Sequence, residues 1–383
     1  MIADLLLYKN GGWMGFDTLK NSADTYQLLL IFGERRLLTE PDVIPPIAQV
    51  FTNARSVACS TAGEIYGGGC NTDTVFCLAL SFDKTRFEIV EDRIARHVNS
   101  FELGRSLARQ LPSKELSYVM VLSDGALIVG DELIEGMNTV FDPSVTITGA
   151  MAGDGARFGE TLTGTDGNLS TGNVVLIGFY GSALQVSSGV KGGWTLFGPE
   201  RTITRSEGNE LFEIDGENAL TLYKRYLGEY ARELPGSALF FPIAILKNSS
   251  DDHVVRTILH VDEATGSMRF AGKVPVGSRI RLMRTNTDDV IHMAGNAAAD
   301  ARVENPMHIS RSSELALIFN CIGRRLVLDA RANDEIKAIT DQLNPHTLVA
   351  GFYSYGEFSK RTSYGQGCEL HNQTVVVTLL YEN

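Results

Sequence analysis

The sequence predicts an α/β protein of two related halves, each made of layered mixed β-sheets flanked by helices, the halves packed with pseudo-two-fold symmetry. Three observations carry this. Short continuous apolar runs, such as Tyr26 to Phe32 (YQLLLIF), read as strands buried on both faces. Helix-spaced apolar patterns alternate with them, and the many glycine turns argue against an all-parallel sheet. The third observation is a repeat. CSTAGEI, from Cys59 to Ile65, is echoed by FYSYGEF, from Phe352 to Phe358, and both place a hydroxyl side chain two residues before a Gly-Glu-apolar step.

In chain order, Tyr26–Phe32 is a strand, and Asp42–Phe51 a helix whose Pro45-Pro46 fits only its first turn. Ser56–Cys59 is a strand running into the STAGE turn, and Thr74–Phe82 another. Tyr118–Gly125 and Val145–Met151 read as strands around a helix over Leu127–Met137, and Val174–Tyr180 as a further strand. AGDGARFGE (Ala152–Glu160) and GGWTLFGPER (Gly192–Arg201) read as glycine-rich loops. Asn218–Leu234 has helical periodicity. Strands follow at Ala238–Leu246 and Val254–Val261, then a hairpin-like stretch, SMRFAGKVPVGSRIRLMR. ELALIFNCIGRRLVL (Glu314–Leu328) echoes YQLLLIFGERRLL (Tyr26–Leu38). Asp334–Leu343 reads as a helix, and Thr347–Ala350 as a strand leading into YSYGEF. YGQGCELHNQTVVVTLL (Tyr364–Leu380) echoes YGGGCNTDTVFCLAL (Tyr66–Leu80). The offset between copies drifts from 287 at Phe32/Phe319 to 293 at Glu64/Glu357 and 300 at Thr74/Thr374. A one-way drift is what loop insertions in a duplicated unit produce. The boundary is expected within Ile203–Asn218, giving domains 1–205 and 206–383.

At 383 residues the chain exceeds one ordinary core. A net charge of -12 argues against nucleic acid, whose phosphates need clustered Lys and Arg. The apolar runs are far short of a membrane span, and the N-terminus lacks the bases of a signal peptide, so a cytoplasmic protein is expected. Five cysteines form no C-x-x-C pair and read as free thiols.

The stretches CSTAGEI, LSDG, AGDGARFG, GGWTLFGPERTITRSEGNELFEIDG, LYKRYLGE, CIGRRLVL, GFYSYGEF and CELHNQT resemble those of FIST proteins, with FIST-N and FIST-C domains. The resemblance covers nearly the whole chain in order. It implies a sensor of small ligands in signal transduction, relaying to a separate partner such as a histidine kinase or a cyclic-dinucleotide enzyme. One branch, the NosP proteins, implies haem and nitric oxide sensing.

The candidate ligand-binding residues gather on the repeated loops: Cys59, Ser60, Thr61, Gly63 and Glu64 in one copy, and Tyr353, Ser354, Tyr355, Gly356 and Glu357 in the other. Paired carboxylates across the copies suit an amino group or an arginine, Arg324 or Arg325. Cys321 and Gly323 stand beside those arginines, whose planar fork suits carboxylate or phosphate. Phe352, Tyr353, Tyr355, Phe358 and Trp194 could wall a flat pocket, or divide between core and surface. Asp154, like Asp124, precedes glycine and reads as a turn former or a ligand contact. His371 is the candidate axial ligand if haem is bound, oriented by Asn372, with His292 and His308 competing. A thiol enzyme using Cys59 or Cys321 with His371, or Ser60 as nucleophile, is the lesser alternative, since no complete catalytic set is visible.

Overall fold

In the computed structural model the described residues are 1–247, 253–303, 315–360 and 367–383. Leu28–Gly33 is apolar throughout because it is a central strand, covered on both faces. It runs parallel to Arg55–Ser60. A parallel pair needs a crossover, which the helix Ile44–Val50 supplies, with proline in its first turn. Val75–Ser81 pairs antiparallel on the other side, and Ile2–Lys9 lies beyond it.

This four-strand arrangement occurs three times. The second unit comprises Arg86–Arg93, Leu116–Ser123, Thr146–Met151 and Asn173–Tyr180. The third comprises Leu184–Lys191, Leu315–Cys321, Leu348–Ser354 and Val375–Glu382. Every unit keeps the same parallel and antiparallel partners. The copies expected from the sequence are thus the first and third units, and the second extends the relation to three.

The units are interlocked. Each sends out a hairpin that completes a neighbour's sheet. The hairpin Glu64–Tyr66/Gly69–Asn71 joins the third unit at Leu348–Ser354, and Gly356–Lys360/Cys368–His371 joins the second at Thr146–Met151. Thr163–Thr165/Asn168–Ser170 returns to the first at Arg55–Ser60. One face of every sheet enters a common core, where Phe32, Leu78, Met120, Ile177, Leu317 and Phe352 meet. The outer faces are covered by helices, such as Ser100–Gln110 and Gly130–Asn138 on the second unit and Thr287–Val303 and Ala332–Thr340 on the third.

Between Leu184–Lys191 and Thr287–Val303 an inserted region builds a further sheet and its own core around the helix Ala219–Leu227. Here the sequence reading needs correction. Gly192–Arg201 is not all loop, because Thr195–Glu207 is a long strand; position 205/206 falls inside it. The helical pattern from Asn218 breaks at Gly228, which has φ 58°, and continues as a 3-10 turn over Gly228–Glu233. Ser267–Phe270 and Arg279–Arg284 do not pair with each other; each joins different strands of the sheet. The glycine and proline between them make a wide loop in place of a tight turn.

Candidate functional site

The three units meet where their parallel strands end. There the backbone closes a ring. The Ala62 amide donates to the Tyr353 carbonyl at 2.7 Å, Tyr355 to Met151 at 3.2 Å, and Gly153 to Ser60 at 2.9 Å. Ala62, Gly153 and Tyr355 thus occupy one position in three copies.

One residue before each of these stand Thr61, Ala152 and Ser354. Thr61 Oγ1 donates to Glu64 Oε1, and Thr74 Oγ1 to Glu64 Oε2 at 2.7 Å. In the third unit Ser354 Oγ and Thr374 Oγ1 donate to Glu357 at 2.7 and 2.8 Å. The matching position in the second unit is Thr163, which exchanges hydrogen bonds with Asn173. Both glutamates are buried. Burial raises the Glu64 carboxyl to about 7 and Glu357 to about 8, and the hydroxyl donors only partly offset it.

Glu64 faces a cavity of about 360 Å³ between the loops of all three units. Thr61, Ala62 and Gly63 form one wall, Gly155–Arg157 of the second unit another, and Ile322, Arg325 and Leu326 of the third unit a further wall. Glu34, Asp73 and Asp329 add carboxylates. Glu34 caps the helix Arg35–Leu38, accepting from the amides of Arg36 and Leu37, and binds Arg157 Nη2 at 2.9 Å. Burial pushes its carboxyl up, but those donors outweigh it and hold it below the usual value. Arg325 donates to the Ala62 carbonyl, lies over the Tyr353 ring, and forms no ion pair among the described residues. Gly63, at φ +129°, is where a Cβ would lie 2.6 Å from Arg325 Nη1.

The other expected residues are placed as follows. Arg324 is fully buried away from the cavity, with Nε 2.7 Å from Glu335 Oε1, and it donates to the Gly192 and Val290 carbonyls. Trp194 packs beside it and donates to the Leu239 carbonyl. Cys59 lies in the common core, and Ser60 Oγ accepts from the Leu162 amide. Burial drives the Cys59 and Cys321 thiols well up, which keeps them protonated and poor nucleophiles. Glu357 and Ser354 are sealed inside, while Gly356 faces Leu370 and Met151 of the second unit's core. Tyr353 is buried under Arg325.

Tyr355 locks the second unit's long loop. Its hydroxyl donates to Asp154 Oδ1 and accepts from the amides of Asp154 and Phe158, and its ring stacks on Phe158 at 4.9 Å. Cys321, Gly323, Tyr355 and Asn372 line a second, smaller cavity under the inserted region. Sequence reasoning missed Glu34, Asp73, Arg157 and Asp329. The one available signal was the arginine pair itself, which left Arg324 and Arg325 undivided.

His371 sits in the strand Cys368–His371 with Nε2 3.2 Å from the Ser359 carbonyl oxygen, and it lines neither cavity. His292 is exposed on the helix Thr287–Val303, and His308 lies outside the described residues. A haem needs an imidazole nitrogen opening on a broad apolar slot, and His371 and His292 do not fit it. Among the described residues no helix is long and apolar enough to cross a membrane.

No curated protein matches the chain. A cyanuric acid hydrolase from A. caulinodans is similar over 100% of this chain and 99% of its own, at 7% identity and a TM-score of 0.40, a likeness too distant to carry an argument. The FIST N domain family matches residues 27–217, and the FIST C domain family residues 219–360. These two stretches contain most of the ring and all of the inserted sheet, so the chain belongs to the FIST family, whose domains are signal-transduction sensor domains.

Proposed function

We propose that this protein is a sensor whose ligand is a small zwitterionic molecule, bound in the cavity beside Glu64, and that the bound state is relayed to a separate partner such as a histidine kinase. The observation that carries this reading is Arg325. It is a guanidinium on a cavity wall, held in place by the Ala62 carbonyl and the Tyr353 ring, with no carboxylate paired to it among the described residues. A planar fork of this kind suits a ligand carboxylate. Asp73 and Asp329 line the same space and suit a ligand ammonium. A volume of about 360 Å³ falls in the range of small-molecule sites.

The test is a thermal-shift screen with neutral amino acids and related zwitterions, with simple carboxylates and amines as controls. A ligand at a hundred times its Kd stabilises by about 2.7 kcal/mol. A concentration-dependent rise in Tm is expected for zwitterions in the native protein. It should vanish in Arg325→Met, whose ligand-free Tm stays near native because the half-buried Arg325 has no ion-pair partner among the described residues to strand. Equal shifts in Arg325→Met, or shifts with amines alone, would remove the reading.

A further inference from the structure

The smaller cavity lies at the seam between the ring and the inserted region. Cys321, Ile322, Gly323, Tyr355 and Asn372 come from the third unit, Phe158 from the second, and Leu239, Thr257, Leu259 and Ala271 from the insertion. It is the counterpart of the first cavity. Cys321 and Glu34 each donate their amide to the carbonyl of Thr374 and Thr74, two residues after Asn372 and Thr72. Tyr355 matches Ala62 in the amide ring. So equivalent positions open onto both spaces, but the insertion roofs the second.

Its polar groups are unmet. Asn372 is 1% exposed, and among the described residues neither its amide nitrogen nor its amide oxygen has a partner. Thr257, facing it from the insertion, is 4% exposed and its hydroxyl is also unpartnered among the described residues. Buried polar atoms are rarely left so, because each costs about 1–3 kcal/mol. The remaining described walls are apolar, and among the described residues no Asp, Glu, Lys or Arg lines the space. Phe158 and Leu259 are partly exposed at its rim.

We propose that this seam is a second binding site, taking an uncharged carboxamide whose N–H and C=O pair with the Asn372 amide while its apolar body lies against Phe158 and Tyr355. A primary amide offers one donor and one acceptor side by side, the complement of what Asn372 presents. A charged group would be desolvated with nothing opposite it. The closed cavity, about 20 Å³, holds no more than a water, so entry requires the insertion to lift. The insertion would pivot about its two connections, which run side by side, Thr285 Oγ1 donating to the Gly193 carbonyl at 2.5 Å, while Arg324 anchors their roots at Gly192 and Val290. This site stands apart from the Arg325 cavity and does not depend on it.

The experiment titrates the full chain with benzamide, and with benzoate and benzamidine as charged matches of its shape, by calorimetry and thermal shift. Saturable benzamide binding is expected, with neither charged compound competing. Asn372→Leu should weaken it by about tenfold while keeping or raising the ligand-free Tm, because it removes unpaired buried groups. Arg325→Met should leave benzamide binding intact, which separates this site from the first. The proposal is overturned if benzamide fails to bind, or binds Asn372→Leu equally. It is also overturned if Asn372→Leu and Thr257→Val each lower Tm by several degrees without any benzamide effect in the native chain, since the pair would then hold a structural water.

Discussion

Glu64 and Glu357 are acids without a paired cation among the described residues, buried among hydroxyls. Their folded values, about 7 and about 8, lie above the ordinary carboxylate value of 4.5. Between the ordinary and raised values the native protein holds a proton that the unfolded chain has released. Stability from these groups is therefore full below that ordinary value and falls as pH rises, at about 1.4 kcal/mol per pH unit for each group. Glu357→Gln should flatten this slope between about pH 5 and about pH 8 in urea unfolding; an unchanged slope would show Glu357 to be ionised in the native state. The two glycines of the repeated loop diverge in role. Gly63→Ala, at φ +129° and against Arg325, should move that guanidinium and weaken zwitterion binding. In Gly356→Ala the new Cβ meets Leu370 at 2.8 Å, so it should cost about 1–3 kcal/mol of stability and leave binding unchanged. Denaturant midpoints set beside affinities for both variants decide this. Sequence alone could not separate them, nor Arg324 from Arg325, because adjacent residues on a helix start point in different directions and only packing selects one.

Among the elements, the long loop after Thr146–Met151 depends on a single side chain from another unit. Tyr355→Phe removes four hydrogen-bond links to the 153–159 loop and leaves the buried Asp154 with Arg157 and the Gly159 amide. A loss of about 1–3 kcal/mol is expected, with faster amide exchange confined to that loop. Exchange spread evenly over the chain would argue against a local lock. That loop also explains what the sequence hid. Eleven residues separate Ala152 from Thr163, where three separate Thr61 from Glu64 and Ser354 from Glu357, and a threonine replaces the glutamate. The second copy lost both its spacing and its marker residue, so only strand register reveals it. Positions 32/319, 64/357 and 74/374 kept theirs, and their drifting offset was readable directly. The insertion was least legible: its one long strand, Thr195–Glu207, is half-exposed and the others pair out of sequence order, so neither periodicity nor proximity identifies the partners.

For the molecule as a whole, the exchanged hairpins mean that no unit owns a complete sheet. A fragment ending at residue 217 keeps the first unit's hairpin but lacks Leu348–Ser354 to receive it, and leaves Thr146–Met151 without Gly356–Lys360. Bare strand edges of that kind recruit other chains. The fragment should therefore aggregate, while the intact ring unfolds in one step when followed by both fluorescence and circular dichroism. A soluble, monomeric fragment with native circular dichroism would contradict this. The three amide links of Ala62, Tyr355 and Gly153 have no first member and no last. A guest that tilts the peptide at Ala62 pulls on Tyr353, whose next-but-one neighbour bears on Met151, and the strain returns by way of Ser60. The three strand ends are thus tied in a closed circuit by backbone alone, with no side chain in the loop of links.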